Sequence, residues 1–284
     1  MNIKRKTPVH PKAKSIHLES TSDRVFFLIH GYTGSPTDFN TLPLYLYKTF
    51  NASVKIPRLK GHGRSIESLD MFGFYDFLHQ VERELQKELR KGKKIILGGY
   101  SFGGQLALYL ASKYPVQGVF NISTPQKLRF PLSIPGIYYL RFFKKYWRKI
   151  QSSKERYWRR TAFYYDHMHI NGIKVVKTAS KMVKENLKKI TVPILTIHST
   201  KDPLAHYRTV DSINKKVSSK IKRVVLFKTE YHSLMFSKEK DLVNRFIRAF
   251  FKKHNVFDNP DRKKSSGKVT VFSKRRKAAK QIPA

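Results

Sequence analysis

The chain has 284 residues, and its 58 Lys and Arg residues against 19 Asp and Glu residues give a formal net charge of +39 at pH 7. This length allows a full hydrophobic core, and the absence of cysteine excludes disulfides, thiolate metal sites and a cysteine nucleophile. A hydrophobic content of 40% excludes a disordered polycation.

The predicted elements alternate between strands and helices. Arg24–Ile29 is a continuous apolar run, typical of a strand buried on both faces, and apolar residues in Phe72–Lys91 recur with helical spacing. The other predicted strands are Ser53–Ile56, Lys94–Leu97, Val116–Ile122, Val192–His198 and Arg223–Phe227. The other predicted helices are the one from residue 37 or 38 to Phe50, then Phe102–Tyr114, Ala205–Val217 and Lys238–Lys253. This alternation predicts an α/β fold with a mostly parallel central sheet and helices on both faces.

The alternation breaks at residues 124–190, which lie between two predicted strands. This segment is rich in proline and aromatic residues, and residues 127–189 contain 17 Lys and Arg against three Asp and Glu. We interpret residues 124–190 as an inserted basic, aromatic cap in a domain that spans residues 21–257. Residues 1–20 form a basic N-terminal flank. Residues 258–284 have too few apolar side chains to offset the entropy of ordering, so we expect a flexible basic tail.

The motif that points to chemistry is Gly99-Tyr100-Ser101-Phe102-Gly103, which lies between the predicted strand Lys94–Leu97 and a predicted helix. In this setting the G-x-S-x-G pattern is typical of a nucleophile elbow, a sharp turn that holds the serine hydroxyl at the sheet edge. The glycines allow the strand and the helix to pack closely. The motif therefore predicts that Ser101 is a nucleophile.

A serine hydroxyl needs a base and a third group that orients the base, and the chain offers both downstream of Ser101. Asp202 follows the predicted strand Val192–His198, and His232 follows the last predicted strand. Taken alone, Asp202 before Pro203 is also typical of a turn. The order Ser, Asp, His after successive strands predicts a catalytic triad of these three residues.

Acyl transfer also needs two NH donors for the negative charge that develops on the substrate carbonyl oxygen. The backbone NH of Phe102, directly after the nucleophile, is one predicted donor. The other is the backbone NH of Tyr32, in a loop where Gly31 and Gly34 allow a ligand to approach the backbone closely. We expect His30 to hold this loop by a hydrogen bond, without a role in proton transfer.

Four ordered motifs together resemble a known family. They are Phe27–Gly34, Gly61-His62-Gly63, Gly99–Gly103 and the spacing from Asp202 to Tyr231-His232. Over about residues 20–253 the chain resembles α/β-hydrolases of the monoacylglycerol lipase and bacterial carboxylesterase type. The resemblance implies an α/β-hydrolase fold with an inserted cap, hydrolysis of carboxylic esters with medium-length acyl chains, and a structural role for His62. The chain differs from that family in its strongly basic cap, its additional tail and a start that is short for the two strands that often come first.

We therefore expect a serine carboxylesterase or lipase that hydrolyses monoacylglycerol-like or medium-chain acyl esters through an acyl-enzyme intermediate. In this mechanism His232 takes the proton of Ser101, Asp202 stabilises the imidazolium, and the amides of Tyr32 and Phe102 bind the oxyanion. Two alternatives stay open. One is an acyltransferase with the same triad, and the other is a basic protein that binds membrane surfaces on a hydrolase scaffold.

The positive charge also admits more than one interpretation. Tyr138–Ile150 predicts an amphipathic helix with aromatic residues on one face and Lys and Arg mostly on the other. Such a helix suits a lid over an acyl pocket, and it equally suits peripheral contact with an anionic membrane surface, to which the tail would add. No motif of a nucleic-acid-binding module is evident, so we expect no specific nucleic-acid partner.

The remaining expectations concern location and cofactors. No segment reaches the roughly 18 apolar residues of a membrane span, and no signal-peptide apolar run follows the basic N-terminus. We expect a cytoplasmic protein, with peripheral membrane contact left open. Asp166-His167-Met168-His169 is too weak a signal for a metal site, and we expect neither a metal nor a cofactor. The sequence gives no indication of the oligomeric state.

Overall fold

The computed structural model describes residues 7–129, 145–149, 160–258 and 268–272, together with the single residues 133, 139 and 157. Within these residues, ten strands form two sheets. The strands are β1 (Ile16–Leu18), β2 (Arg24–Ile29), β3 (Ser53–Ile56), β4 (Lys94–Tyr100), β5 (Gly118–Ile122), β6 (Tyr146–Arg148), β7 (His167–His169), β8 (Ile194–Ser199), β9 (Lys222–Phe227) and β10 (Lys268–Phe272). The main sheet has the order β1-β3-β2-β4-β5-β8-β9-β10, in which only β1 runs antiparallel to its neighbour.

Helices cover both faces of this sheet. The α-helices of the described ranges are α1 (Leu42–Phe50), α2 (Glu67–Asp70), α3 (Phe74–Arg90), α4 (Phe102–Ala111), α5 (Asn171–Asn186), α6 (Thr209–Lys216) and α7 (Lys240–Lys253). Alternate side chains of β2 belong to different cores: Val25 and Phe27 pack with α3, α4 and α5, whereas Phe26 and Leu28 pack with α1 and α7. This two-sided burial explains why the β2 sequence is continuously apolar. The predicted α/β fold with helices on both faces is confirmed.

The parallel register determines where loops can meet. Ile29 pairs with Gly99, Tyr100 pairs with Ile122, and β8 and β9 end together at the pair Ser199–Phe227. The carboxyl ends of β2, β4, β5, β8 and β9 therefore lie along one edge of the sheet. Loops that follow such strands are where α/β proteins bind ligands.

Several predicted boundaries need correction. The helix expected from residue 37 or 38 is interrupted, because Asn40 adopts a left-handed φ of +49° between a 3-10 helix, Pro36–Phe39, and α1. Three short 3-10 helices, Pro11–Ala13, Leu187–Lys189 and Leu234–Phe236, complete the described helices. The other predicted strands and long helices are present, with ends shifted by up to four residues.

The expected domain limits also change at both ends of the chain. Strand β1 lies inside the expected N-terminal flank and pairs with β3, so the sheet begins before residue 21. The expected flexible tail, residues 258–284, includes β10, which pairs in parallel with β9 through Lys268–Phe272. Its alternating Val, Thr and Val residues favour a strand. The expectation of a flexible tail is therefore wrong for these five residues, and most of the remaining tail lies outside the described residues.

The expected cap, residues 124–190, is partly a core element. Helix α5 packs against α4 through Val175, Val176, Ala179 and Val183, so the inserted segment ends near residue 170. The predicted amphipathic helix Tyr138–Ile150 is wrong at β6, a strand that pairs antiparallel with β7. The other residues of that predicted helix, apart from 139, 145 and 149, lie outside the described residues. Across the described ranges, no helix has both the length and the apolar character that crossing a bilayer requires.

Candidate active site

Ser101 lies at the turn between β4 and α4 in a left-handed backbone conformation, with φ +53° and ψ −119°. Such a conformation costs a non-glycine residue about 1–3 kcal/mol. The turn is held by hydrogen bonds, because the Ser101 amide donates to the carbonyl of Ile122 at 2.8 Å and its carbonyl accepts from the amide of Gly104 at 2.9 Å. The strained turn places Ser101 at the carboxyl edge of the sheet.

The glycines of the G-x-S-x-G motif are required by backbone contacts. A Cβ on Gly103 would lie 1.9 Å from the carbonyl oxygen of Ile29 and 2.5 Å from that of His30. A Cβ on Gly99 would lie 2.3 Å from the carbonyl oxygen of Gly103. The opposing atoms belong to the main chain and cannot rotate away. Glycine at position 103 therefore lets the first turn of α4 pack directly on the end of β2, and glycine at position 99 lets that turn pack on β4.

The structure brings the side chains of Ser101, His232 and Asp202 into one hydrogen-bonded chain. The Ser101 Oγ atom lies 3.0 Å from His232 Nε2, and His232 Nδ1 lies 2.7 Å from Asp202 Oδ2. Asp202 is fully buried, and His232 is 7% exposed. These distances are those of a nucleophile, a base and an orienting carboxylate.

The Asp202 carboxylate is held by two different sets of donors. Its Oδ1 atom accepts the backbone amides of Leu204 at 2.8 Å and Ala205 at 2.9 Å, while Oδ2 faces His232. Burial alone would raise the pKa of Asp202, but attraction to His232 and the hydrogen bonds outweigh it, so the pKa is lowered. An ionised Asp202 accepts the Nδ1 proton of His232, which leaves Nε2 free to accept the proton of Ser101.

A second histidine, which the sequence analysis did not select, lies beside the same carboxylate. His198 is fully buried, with Nε2 3.3 Å from the carbonyl oxygen of Ala205 and 3.7 Å from Asp202 Oδ2. Burial lowers the pKa of His198, so it stays neutral near pH 7. The spacing of four residues between His198, on a predicted strand, and Asp202 is the sequence signal that indicates this contact.

The loop after β2 is held by two buried histidines. The amide of Thr33 donates to His62 Nε2 at 3.2 Å, and the amide of Leu59 donates to His30 Nε2 at 3.0 Å. The other ring nitrogens face carbonyl oxygens, His62 Nδ1 at 3.0 Å from that of Lys60 and His30 Nδ1 at 2.9 Å from that of its own neighbour, Gly31. Both rings therefore act as neutral hydrogen-bonding groups, as the structural roles expected for them require.

Burial of these two rings disfavours their charged forms. It lowers the pKa of His62 to about 4 and that of His30 well below its usual value. Both stay neutral near pH 7, and both ring nitrogens of each are already paired with backbone groups.

The amide of Tyr32 lies between two amides that are already paired. The Gly31 amide donates to Asp38 Oδ2 at 3.2 Å, and the Thr33 amide to His62. Among the described residues, the Tyr32 amide has no acceptor. The Tyr32 ring packs edge-on against Phe102, with centroids 5.9 Å apart, and the amide of Phe102 opens α4, where first-turn amides lack helical acceptors. The two predicted oxyanion donors thus belong to residues whose rings are in contact, and neither amide has a hydrogen-bond acceptor within the described residues.

The described parts of the cap contact this same loop. The backbone amide of Tyr165 donates to the carbonyl of Thr33 at 3.0 Å, and Lys149 Nζ donates to the Thr33 hydroxyl at 2.9 Å. The cap therefore places a lysine next to the predicted oxyanion loop.

The weak metal motif contains His169, whose Nδ1 atom lies 2.7 Å from Asp70 Oδ1. In the described ranges, no cluster of three or more His, Cys, Asp or Glu side chains could hold a metal ion.

Comparison with known proteins identifies the family to which the chain belongs. The chain matches the family described as serine aminopeptidase, S33, over residues 20–240. It is 26% identical over 228 residues to a thermostable monoacylglycerol lipase from Bacillus sp. (strain H-257), covering 80% of this chain and 90% of that protein. It is 24% identical over 234 residues to a carboxylesterase from Bacillus subtilis (strain 168), covering 81% of this chain and 93% of that protein.

Solved structures show the likeness of fold. A structure from the study of LipS and LipT, two metagenome-derived lipolytic enzymes, superposes with a TM-score of 0.76 and 22% identity over 87% of this chain and 100% of that chain. The resemblance to α/β-hydrolases of the monoacylglycerol lipase and carboxylesterase type is confirmed. Because the family match spans residues 20–240, well over half of the chain, the chain belongs to the serine aminopeptidase S33 family of α/β-hydrolases.

Proposed function

We propose that this protein is a serine hydrolase that cleaves carboxylic esters through an acyl-enzyme intermediate. The observation that carries the proposal is the chain of contacts from Ser101 Oγ through His232 to Asp202, with distances of 3.0 and 2.7 Å. The names of the two Bacillus relatives support an ester as the bond that is cleaved.

The proposed reaction has two half-reactions. In the first, Ser101 Oγ attacks the ester carbonyl carbon while its proton passes to His232 Nε2. The resulting imidazolium is stabilised by Asp202 and then protonates the leaving alcohol as the carbon–oxygen bond breaks. In the second, His232 takes a proton from water, the hydroxide attacks the acyl-enzyme, and the proton returns to Ser101 as the carboxylic acid leaves.

The backbone amides of Tyr32 and Phe102 are the proposed oxyanion donors. Loss of one such donor typically lowers kcat by about 100- to 1000-fold. Two features favour Tyr32: its amide has no protein acceptor in the described residues, and its neighbours are fixed by Asp38 and His62. The amides are preorganised, so little rearrangement is needed when the negative charge develops.

The proposed substrates are monoacylglycerol-like esters or esters with medium-length acyl chains. This assignment rests on the named activities of the relatives and on the position of the cap against the loop that carries Tyr32. The proposal predicts a preference that rises and then falls as the acyl chain is lengthened. A matched series of p-nitrophenyl esters from two to sixteen carbons would measure it as kcat/KM, and a flat series would contradict it.

We also propose peripheral contact with anionic membranes through the cap and the tail. It is supported by the net charge of +39 and by the exposed side chains of Tyr139 and Tyr157 in the cap. Vesicle cosedimentation at two salt concentrations tests the contact. We expect binding to anionic vesicles that weakens as salt rises, because salt screens surface charges beyond about 10 Å at 0.1 M. Equal binding to neutral and anionic vesicles would contradict it.

Labelling with a fluorophosphonate probe tests the catalytic assignment. We expect the wild type to be labelled and to hydrolyse a short p-nitrophenyl ester, and Ser101→Ala to lose both. The matched control is Ser112→Ala, because Ser112 ends α4 and its hydroxyl donates only to the local carbonyl of Tyr109. A folded wild type without labelling or turnover, or a Ser101→Ala variant with wild-type turnover, would overturn the proposal.

A further inference from the structure

One buried aromatic side chain contacts three parts of the candidate active site. Tyr100 is the last residue of β4 and is 3% exposed. Its hydroxyl lies 2.7 Å from the Ser233 hydroxyl, and its ring centroid lies 5.5 Å from that of His232. A Cβ on Gly31, in the loop with the predicted oxyanion donor, would lie 3.1 Å from Tyr100 Cδ1. The Tyr100 ring therefore separates the oxyanion loop from the histidine.

The chain positions of the two hydroxyl-bearing residues make their contact informative. Tyr100 directly precedes Ser101, and Ser233 directly follows His232. In the sheet, β4 and β9 are separated by β5 and β8, so no strand pairing holds their following loops together. The Tyr100–Ser233 hydrogen bond joins these loops directly, one residue from each side of the Ser101–His232 contact.

A second hydrogen bond holds the main chain of the same loop but does not itself set the direction of the His232 ring. The Ser123 hydroxyl donates to the carbonyl of His232 at 2.7 Å, from a residue that directly follows β5 and has a φ of +51°. This bond holds the His232 backbone next to the carboxyl end of β5. The direction of the imidazole depends on the side chains packed around it, and Tyr100 supplies such a contact.

We propose that Tyr100 is a positioning residue whose hydroxyl, through Ser233, keeps His232 Nε2 within hydrogen-bonding distance of Ser101. The inference rests on the proposed function, because it concerns the geometry of the proton transfer. A misplacement of about 1 Å in such a constellation can cost about 100-fold in rate. Removal of one hydroxyl breaks the Tyr100–Ser233 hydrogen bond but leaves the aromatic ring in place, so we expect the rate to fall by less than 100-fold.

Three variants test the link: Tyr100→Phe, Ser233→Ala and the double variant. With a short p-nitrophenyl ester, we expect each single variant to lower kcat by about tenfold and to leave KM within about twofold, since substrate binding does not depend on the link. The rate of fluorophosphonate labelling should fall by the same factor. The double variant should lose no more than either single variant, because both changes remove the same hydrogen bond.

The matched control is Tyr114→Phe. The Tyr114 hydroxyl also makes short hydrogen bonds, donating to Glu82 and accepting from Gln86 at 2.7 Å each, but Tyr114 lies between the end of α4 and the start of β5, away from the carboxyl edge of the sheet. This variant should lose thermal stability like Tyr100→Phe and keep the wild-type kcat. A loss of kcat in Tyr100→Phe without its counterpart in Tyr114→Phe separates positioning from general destabilisation.

The outcomes distinguish the inference from the function on which it rests. An active wild type with single variants that keep kcat within twofold would overturn the positioning role alone. Losses that multiply in the double variant would show independent effects and would also overturn the link. A folded wild type that neither labels nor turns over would overturn the proposed function and this inference with it.

Discussion

The substitution Asp202→Asn tests the orientation of the histidine, because the two carboxylate oxygens have different neighbours. Oδ1 accepts the amides of Leu204 and Ala205, and Oδ2 accepts the Nδ1 proton of His232. An asparagine has only one oxygen. If that oxygen keeps the two backbone amides, its NH₂ group faces His232 and forces Nδ1 to be the acceptor. Nε2 then carries the proton and cannot take the proton of Ser101.

The expected loss follows from these contacts. With the oxygen on the backbone amides, the wrong tautomer should lower kcat by about 10⁴-fold. Turning the amide over restores the tautomer but leaves two buried NH donors without acceptors, which costs about 2–6 kcal/mol. That penalty corresponds to a loss of about 30- to 10⁴-fold. We therefore expect kcat to fall by at least about 30-fold, with a folded protein and a KM close to that of the wild type.

The assay is turnover of a short p-nitrophenyl ester at pH 7, with thermal melts of each variant. Asp211→Asn is the matched control, because Asp211 is an exposed aspartate in the first turn of α6. It should leave kcat unchanged. A folded Asp202→Asn protein with kcat within tenfold of the wild type would refute the assigned role of Asp202.

Three further outcomes follow from buried contacts. Gly103→Ala would force a Cβ against the Ile29 carbonyl, so we expect the free energy of unfolding to fall by about 3 kcal/mol. This fall corresponds to a Tm lower by about 6–12 °C, and kcat should fall as well. An unchanged thermal melt would contradict this expectation. Burial lowers the pKa of His62 to about 4, so the unfolded chain takes up the proton first and stability should fall as pH drops below about 6.5, by about 3 kcal/mol at pH 4. Urea denaturation at pH 7 and pH 4 would measure this loss, and an equal fall in His62→Asn would argue against it. Glu88 pairs with Lys55 at 3.0 Å, and Lys55 has a second partner in Glu19 at 3.2 Å, so Glu88→Gln should lower the free energy of unfolding by only about 1 kcal/mol without changing ester turnover, and equal denaturation midpoints would count against it.

Much of the sheet could be predicted from the sequence because its strands are buried on both faces. Continuous apolar runs such as Arg24–Ile29 leave few alternatives, and the chain order after them places Ser101, Asp202 and His232 at one edge. The convergence of these three side chains followed from that order, although their catalytic roles stay predictions. Strand β1 was missed because a half-exposed three-residue strand at a sheet edge has too few residues to show a period.

The contacts that were missed depend on residues far apart in the chain. Strand β6 has aromatic and basic residues at spacings that also fit a helix, and its partner β7 begins about twenty residues later. Pairing across that distance decides the conformation, and local periodicity does not report it. The Tyr100–Ser233 bond spans 133 positions, so neither residue has a local pattern that indicates the other.

The two edge strands of the main sheet, β1 and β10, differ in length and in what they cover. One border is β1, which is only three residues long, and the other is β10, which covers the outer edge of β9. An uncovered strand of the length of β9 exposes a row of backbone donors and acceptors that a second chain can pair with. Proteolytic loss of residues after 258 would remove β10 and expose the backbone donors and acceptors of β9 that now pair with it, so the trimmed chain would offer a new sheet edge for self-association.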